Sequence, residues 1–236
     1  SGLEINSMNQ QKISFIQIVV GLDYFDTFTR NDLSMIGIPA ETFSKCLRCC
    51  PKTKELHLEI YEHDPDTLQI HMKSKRRSVR VKMSLLEIDT ESLKIPTIEY
   101  DSVIEMPVQT LLSTIHDFEL LECEKIILET YAKHFKLIGS NNTATVEMTL
   151  EENKKEEISI QLRDEVYLTI SLLELTSFVK NILRLQCESM KVQLSNERPL
   201  HLNIRVCDYF QINYFLAPKE NEDDEETKSS QPKTTT

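Results

Sequence analysis

Apolar residues along most of the chain either alternate with polar ones or gather in short β-branched runs, and three stretches show helical spacing instead. Residues 12–20 place Ile13, Phe15 and Gln17 on one face and Ser14, Ile16 and Ile18 on the other, which predicts a strand covered on both sides. A further short strand is expected over 24–29. Residues 39–50 predict the first helix. Phe43, Cys46, Leu47 and Cys50 share one of its faces, Lys45 and Arg48 fall on the other, Pro39 takes a tolerated first-turn position and Pro51 stops it. Strands are expected at 55–61, 67–73 and 78–86, the first two joined by a turn at His63-Asp-Pro-Asp66.

Residues 85–100 break the pattern. They keep neither strand alternation nor a helical period, and Pro96 biases Ile95 toward an extended backbone, so the segment reads as a connector between two halves. Its content of Leu86, Ile88, Leu93, Ile95 and Ile98 is too apolar for a solvated linker and predicts apolar tips offered to a partner. Beyond it come a strand at 100–106, a helix at 107–118, strands at 125–130, 135–138, 144–150, 158–162 and 166–170, a helix at 172–186, and strands at 190–194, 200–206 and 210–215. In the last helix Leu172, Leu175, Val179, Ile182 and Leu183 share a face, with Lys180 and Arg184 off it. Helices thus start at Pro39, Pro107 and about Leu172, spacings of 68 and 65 residues, each followed by about three strands, which is an internal repeat. If each half holds two such units, the first is short of one helix. The chain begins at Ser1-Gly2 directly on strand-like sequence, so an upstream piece is expected to be absent. Residues 220–236, with Glu222-Asp-Asp-Glu-Glu226, form an acidic tail too polar to fold.

At 236 residues the chain has room for one large domain or two of about 100 to 120 residues. Its net charge of −11 repels DNA and anionic membranes in bulk, although a local basic face can hide in that average. No apolar run approaches the roughly 18 residues of a membrane span and no signal-peptide pattern opens the chain, so an intracellular protein is expected. Its six cysteines are too sparse for a disulfide framework and read as reduced.

Candidate chemistry is thin. Cys46-x-x-Cys49 has metal or redox spacing, but no second ligand pair follows and both fit as small packing residues on a helix. An enzyme using those two thiols is therefore disfavoured. His57, His71 and His201 read as surface or satisfied core residues, and His63-Asp-Pro-Asp66 is explained by turn chemistry. Four glycines in all leave little from which to build a phosphate loop, and the sequence presents no catalytic constellation, metal site or cofactor site.

Charge placement says more. The helical segments with their caps carry Lys45, Arg48, Lys52, Lys180 and Arg184 against Glu41, Asp117 and Glu174, whereas the rest of the chain is strongly acidic. Such a face either is solvated by chance or tracks phosphates without reading bases. Residues 73–82 form a basic strand and Glu147, Glu151 and Glu152 mark an acidic one. These are either two charge-protected edges or the two sides of a head-to-tail contact that closes a ring.

In order along the chain stand Ser7-Met8, Phe25-Asp-Thr27, Ser44-Lys45, Asp66-Thr-Leu68, Leu93-Lys-Ile-Pro96 with Tyr100, and Phe215-Leu-Ala-Pro-Lys219. Together they resemble the proliferating cell nuclear antigen family of eukaryotic sliding clamps. The last motif looks like that family's C-terminal Tyr-Leu-Ala-Pro-Lys, and the connector like its Leu-Gly-Ile-Pro followed by Tyr. By comparison about the first 32 residues are absent, among them a strand and a basic helix. The resemblance implies an α+β fold of two similar clamp domains, 1–84 and 101–219, with antiparallel sheets outside and short helices inside a ring of three subunits. It implies a non-enzymatic DNA sliding clamp in the nucleus, needing no cofactor. Such a clamp would serve as processivity factor for DNA polymerase and as docking platform for replication and repair proteins. Its partners would be duplex DNA bound without sequence preference, a clamp loader, further copies of itself, and proteins carrying a short motif of a glutamine and two aromatics.

The motif pocket would be Met8, Ile13, Phe15, Leu93, Ile95, Pro96, Pro199, Phe215, Leu216, Ala217 and Pro218. DNA would be faced by Lys45, Arg48, His116, Lys180 and Arg184, although His116 and Leu173 stand where the family has arginines. Subunits would meet through Arg77, Arg80, Val81 and Lys82 on one side and Val146, Glu147, Met148 and Glu151 on the other. An alternative within the resemblance is a subunit of a heteromeric checkpoint-type clamp that binds partners without forming a homotrimer.

Overall fold

The computed structural model describes residues 2–29, 35–50, 52–88 and 99–219. The chain runs β1 (Leu3–Met8), β2 (Ser14–Val20), α1 (Ala40–Arg48), β3 (Glu55–Tyr61), β4 (Asp64–Lys73), β5 (Ser78–Ser84) and β6 (Ser102–Pro107). It continues through α2 (Val108–Leu120), β7 (Lys125–Tyr131), β8 (His134–Ser140), β9 (Thr145–Glu151), β10 (Ser159–Leu162) and β11 (Val166–Ser171). The last elements are α3 (Leu172–Ile182), β12 (Ser189–Leu194), β13 (Leu200–Cys207) and β14 (Phe210–Leu216). α1 is followed by four strands, α2 by five and α3 by three, where the repeat predicts about three after each.

The described residues pack as two compact units, one drawn from 1–27 with 97–236 and the other from 28–96. This grouping differs from the expected split at 84 and 101, because β2, which carries β1 on its other edge, hydrogen-bonds to the C-terminal strand β14 rather than to β3. In the larger unit a seven-stranded antiparallel sheet has the order β1-β2-β14-β13-β12-β6-β10, and a four-stranded sheet has the order β11-β7-β8-β9. Alternate residues of these strands point into one core, as a half-buried pleat requires. Leu200, Leu202 and Ile204 of β13 meet Phe118 of α2 and Val179 of α3 there. Gly139 of β8 faces this core, and a Cβ added to it would run into the Phe118 ring and approach Cys123 Sγ. Glycine here is a matter of space: its missing side chain seats α2 on the sheet.

The smaller unit has one three-stranded sheet, β3-β4-β5, and α1. Its core is Cys50, Leu68, Ile70, Met72 and Met83, with Phe43, Cys46 and Leu47 of α1 packed against it but none of them fully buried.

Several expected boundaries move for identifiable reasons. No strand forms at 24–29. The Tyr24 and Phe25 amides instead donate to the Gly21 and Leu22 carbonyls at 3.1 and 3.0 Å, closing a 3-10 turn at Leu22–Tyr24. The β3–β4 hairpin turns at Glu62 and His63, with Asp64 already paired to Tyr61, so Pro65 and Asp66 belong to the strand and not to the turn. Pro39 and Pro107 are N-caps and not first-turn residues. Each lends a carbonyl and a preset φ where its missing N–H costs nothing, and the Phe43 amide donates to the Pro39 carbonyl at 2.9 Å. The last helix ends at Ile182 and tightens into a 3-10 turn at Leu183–Leu185. The expected stop at Pro51, most of the connector and the acidic tail lie outside the described residues.

Replacing Gly139 by Ala should destabilise the larger unit by about 1–3 kcal/mol through overpacking. Shrinking its neighbour in the double variant Gly139→Ala/Phe118→Leu should give a coupling energy of at least about 1 kcal/mol in a double-mutant cycle. Urea denaturation checks both values, and strict additivity would mean that the two side chains do not compete for the same space.

Candidate functional site

The face of the seven-stranded sheet turned away from the core carries the residues of most interest. Cross-strand register sets Met8 opposite Phe15, Phe15 opposite Phe215, and Phe215 opposite His201, so that four strands contribute one row. The Phe15 and Phe215 rings lie 6.0 Å apart, and His201 stacks on Phe215 at 4.3 Å with 12° between planes. Tyr100 adds a ring 5.4 Å from His201. Met8 remains 37% exposed at the end of the row.

The β1–β2 turn beside this row is held by Asn9, whose Oδ1 accepts from the Ile13 and Ser14 amides at 2.9 and 3.1 Å. The Ile13 carbonyl in turn accepts from the Ala217 amide at 2.8 Å, which ties the turn to the C-terminal segment. Pro199 is exposed one position beyond the Leu200–Leu216 pair, where Ala217 also lies, and Pro218 is half-buried. Of the eleven expected pocket residues, Met8, Ile13, Phe15, Pro199, Phe215, Ala217 and Pro218 are thus brought to this end of the sheet. Leu216 is a correction: the strand alternation that turns Phe215 outward turns Leu216 into the core, where it is fully buried. Leu93, Ile95 and Pro96 lie outside the described residues.

A polar row runs beside the aromatic one. Asn213, only 8% exposed, accepts on Oδ1 from Asn203 Nδ2 at 2.7 Å and Gln211 Nε2 at 3.2 Å, meets His201 Nε2 at 3.1 Å, and donates through Nδ2 to Gln17 at 3.0 Å. Gln17 passes the chain on to Glu4 at 2.8 Å. Burial pushes Tyr100 up to about 12, with Arg198 pulling the other way. Burial also holds His201 below its ordinary value, against the opposing hydrogen bond to Asn213. Reading His201 as an isolated strand histidine missed this setting, because cross-strand partners are not visible in one strand's sequence.

The expected DNA-facing residues are all exposed: Lys45 and Arg48 on α1, His116 on α2, Lys180 on α3, and Arg184 in the turn after it. Two of the cations carry carboxylates. Lys45 pairs with Glu41 at 2.6 Å and Lys180 with Glu119 at 2.7 Å. Glu119 belongs to α2, which runs two residues further than expected, and also lies 4.0 Å from His116. Exposed pairs of this kind hold weakly and yield to a competing anion. Leu173 and Leu120, 75% and 69% exposed, stand on the outer surfaces of α3 and α2.

The two charged strands are sheet edges. Among the described strands β5 pairs only with β4, and β9 only with β8. Both are seven residues long. Arg80 and Lys82 point outward from β5 while Val81 packs inward, and Glu147 and Glu151 point outward from β9 while Val146 and Met148 pack inward. Arg77 immediately precedes β5. Glu147 is partly neutralised by Lys136 at 2.8 Å.

The Cys46 side chain packs on the small core, and the exposed Cys49 Sγ contacts the Lys45 carbonyl at 3.4 Å. Among the described residues no group of three or more His, Cys, Asp or Glu side chains is placed to hold a metal ion, and no helix is long and apolar enough to cross a membrane.

Antiparallel sheets with few helices, open strand edges and an aromatic strip on the sheet face make up a clamp scaffold. The crystal structure of Proliferating Cellular Nuclear Antigen from Entamoeba histolytica has the same fold, with a TM-score of 0.78 at 22% identity over 93% of this chain and 86% of that one. Residues 1–92 match the N-terminal domain of proliferating cell nuclear antigen and residues 94–219 its C-terminal domain. Proliferating cell nuclear antigen 2 of Drosophila melanogaster is 24% identical over 225 residues, 95% of this chain and 87% of that protein. The chain belongs to the proliferating cell nuclear antigen family, the sliding clamps.

Asn213→Leu should cost about 1–3 kcal/mol, since it strands three donors and one acceptor on a half-buried sheet face. The depressed His201 makes a pH signature. Its contribution is present above its ordinary 6.5 and is lost as pH falls through the lower folded value, because the unfolded chain then binds the extra proton. Urea denaturation at about pH 8 and about pH 5.5 should therefore show a loss of stability on acidification that His201→Phe lessens.

Proposed function

We propose that this chain is a ring-forming DNA sliding clamp, a homotrimer acting in the nucleus as processivity factor for DNA polymerase and as docking platform for replication and repair proteins. The observation that carries this reading is the match of both family domains, in order, across residues 1–92 and 94–219. The boundary between the two matches falls inside the expected connector, which supports 1–84 and 101–219 as domains joined by 85–100. The same match gives no support to the heteromeric checkpoint alternative.

The geometry supplies the means. A ring needs a heterologous contact, the same two different edges meeting at every joint. Edges β5 and β9 are equal in length and opposite in outward charge, so their pairing would extend one sheet into the next across subunits. Arg77, Arg80, Val81 and Lys82 would face Val146, Glu147, Met148 and Glu151. Topological linkage then holds the clamp on duplex DNA, and the helix-borne Lys45, Arg48, His116, Lys180 and Arg184 need contact phosphates only loosely. A chain of net charge −11 with paired lysines suits that requirement. Partners carrying a glutamine and two aromatics would dock on the Met8–Phe15–Phe215 strip together with Leu93, Ile95 and Pro96 of the connector. A clamp loader would open the ring, and no chemical step falls to the clamp itself.

Light scattering across a dilution series should give three times 27.4 kDa, about 82 kDa. Arg80→Glu/Lys82→Glu alone should yield monomers by setting acid against acid. Adding Glu147→Lys/Glu151→Lys to the same chain should restore the trimer, and failure of that restoration would remove the head-to-tail pairing.

Lys45→Glu/Arg48→Glu/Lys180→Glu should shorten retention on circular duplex while leaving the mass of the ring unchanged. Each lost phosphate contact should lower the slope of log K against log salt by about 0.9. An unchanged slope would count against these residues as the DNA-facing set.

A further inference from the structure

We propose that His201 is a specificity-determining residue of the docking face: neutral, it completes the aromatic strip, and a proton on Nδ1 breaks the strip and releases the partner. This rests on the docking reading above.

The tautomer follows from the amide ladder. Asn213 Oδ1 already accepts from Asn203 and Gln211, and its Nδ2 is committed to Gln17. The amide therefore offers His201 an acceptor, and Nε2 must carry the hydrogen. Nδ1 then holds the lone pair, and it is buried without a hydrogen-bond partner among the described residues. The ring is fixed in this state by Phe215 on one side, at 4.3 Å and 12°, and by Tyr100 at 5.4 Å.

The groups around it are ill-suited to a cation. Phe215 and Asn213 face it from β14, Gln193 is its partner on β12, and Asn203 lies two positions along its own strand. Arg198, in the turn before β13, acts on Tyr100 above it. The carboxylate of Glu99, next to Tyr100 in the chain, is bound to Arg163 at 2.6 Å. One row along the sheet Lys191 lies opposite Asn203 and is paired with Glu105 at 3.6 Å, and Arg205 stands two rows along.

A proton taken from water at Nδ1 creates a charged donor with no acceptor within the stack. Attraction to the faces of two aromatic rings offsets part of that cost. It does not supply the missing acceptor, and the depressed titration of His201 by burial acts in the same direction. The imidazolium reaches water by leaving the Phe215 face, which removes the support from one end of the row on which a partner's aromatic side chain would lie. The partner that fits is accordingly a peptide presenting aromatic rings to a neutral strip.

The test uses the full chain and a short fluorescent peptide carrying a glutamine and a terminal pair of phenylalanines, with fluorescence anisotropy at about pH 8 and about pH 5.5. Affinity should fall by up to about fivefold on acidification, since His201 titrates below its ordinary 6.5, and by linkage the peptide should lower the midpoint of the His201 ring signal, followed by NMR, by about one unit. His201→Phe should abolish the step, whatever its affinity at about pH 8, and far-ultraviolet dichroism at both pH values reports whether the fold is kept. Equal affinity at the two values in the unaltered chain, or an unmoved His201 midpoint on binding, would overturn the proposal. A peptide that fails to bind at either pH, equally with Phe215→Ala, would overturn the docking reading and the proposal with it.

Discussion

The pairing of β2 with β14 is the joint on which the larger unit depends. Seven residue pairs, Phe210 with Val20 through Leu216 with Ser14, link sequence from the two ends of the described chain. Contacts of this separation carry a large loop-closure cost, so they persist only when side chains on both faces of the ribbon reward them. Here both faces do. Toward the core, Ile16, Ile18, Ile212 and Tyr214 lie against the helices, with Tyr214 stacked on Phe178 at 3.8 Å. Away from it, Phe15 meets Phe215, and Gln17 meets Asn213.

The same alternation that stabilises the joint generates the candidate docking face. Because side chains switch faces at every residue, a strand that buries Leu216 must expose Phe215. The outward row then has two characters separated by one step of register. One line is aromatic, the other a ladder of amides, and His201 touches both through its ring face and its Nε2. An unsupported aromatic row would be free to collapse onto the sheet. The ladder opposes that collapse, since the Asn213 amide ties three strands together, meeting His201, Asn203 and Gln211 on its oxygen and donating through Nδ2 to Gln17.

Most of the fold was legible because period-two alternation and three helical stretches are local signals. The strands at 125–131, 166–171 and 200–207 follow directly from their Val, Ile, Leu and Tyr spacing. What local pattern could not supply was partnership. Residues 24–29 are as aromatic as any strand, yet their amides are taken by a 3-10 turn, so propensity there gives way to backbone hydrogen bonding. Leu216 sits within a motif whose apolar character is uniform, and nothing in Phe-Leu-Ala-Pro says which residue points inward until the register with Leu200 is known. Glu119 shows the same limit for charge. It falls just past the expected helix end, and its contacts with Lys180 and His116 weaken a face that seemed more basic from composition.

That weakening bears on how such a surface can work. A helical face built to hold a fixed position on DNA would keep its cations free and numerous, since each phosphate contact adds counterion release and steepens the salt dependence. Here Lys45 carries Glu41 on α1, while Lys180 carries Glu119, which also lies near His116, and Leu173 and Leu120 stand exposed on α3 and α2. On the proposed DNA-facing reading, a phosphate arriving at either lysine would displace a carboxylate, which would be ready to return when it leaves. Each contact would thereby be shallow, and neighbouring phosphates nearly equivalent. For a protein held on its track by topology, shallow and equivalent contacts favour translocation, whereas deep ones would arrest it.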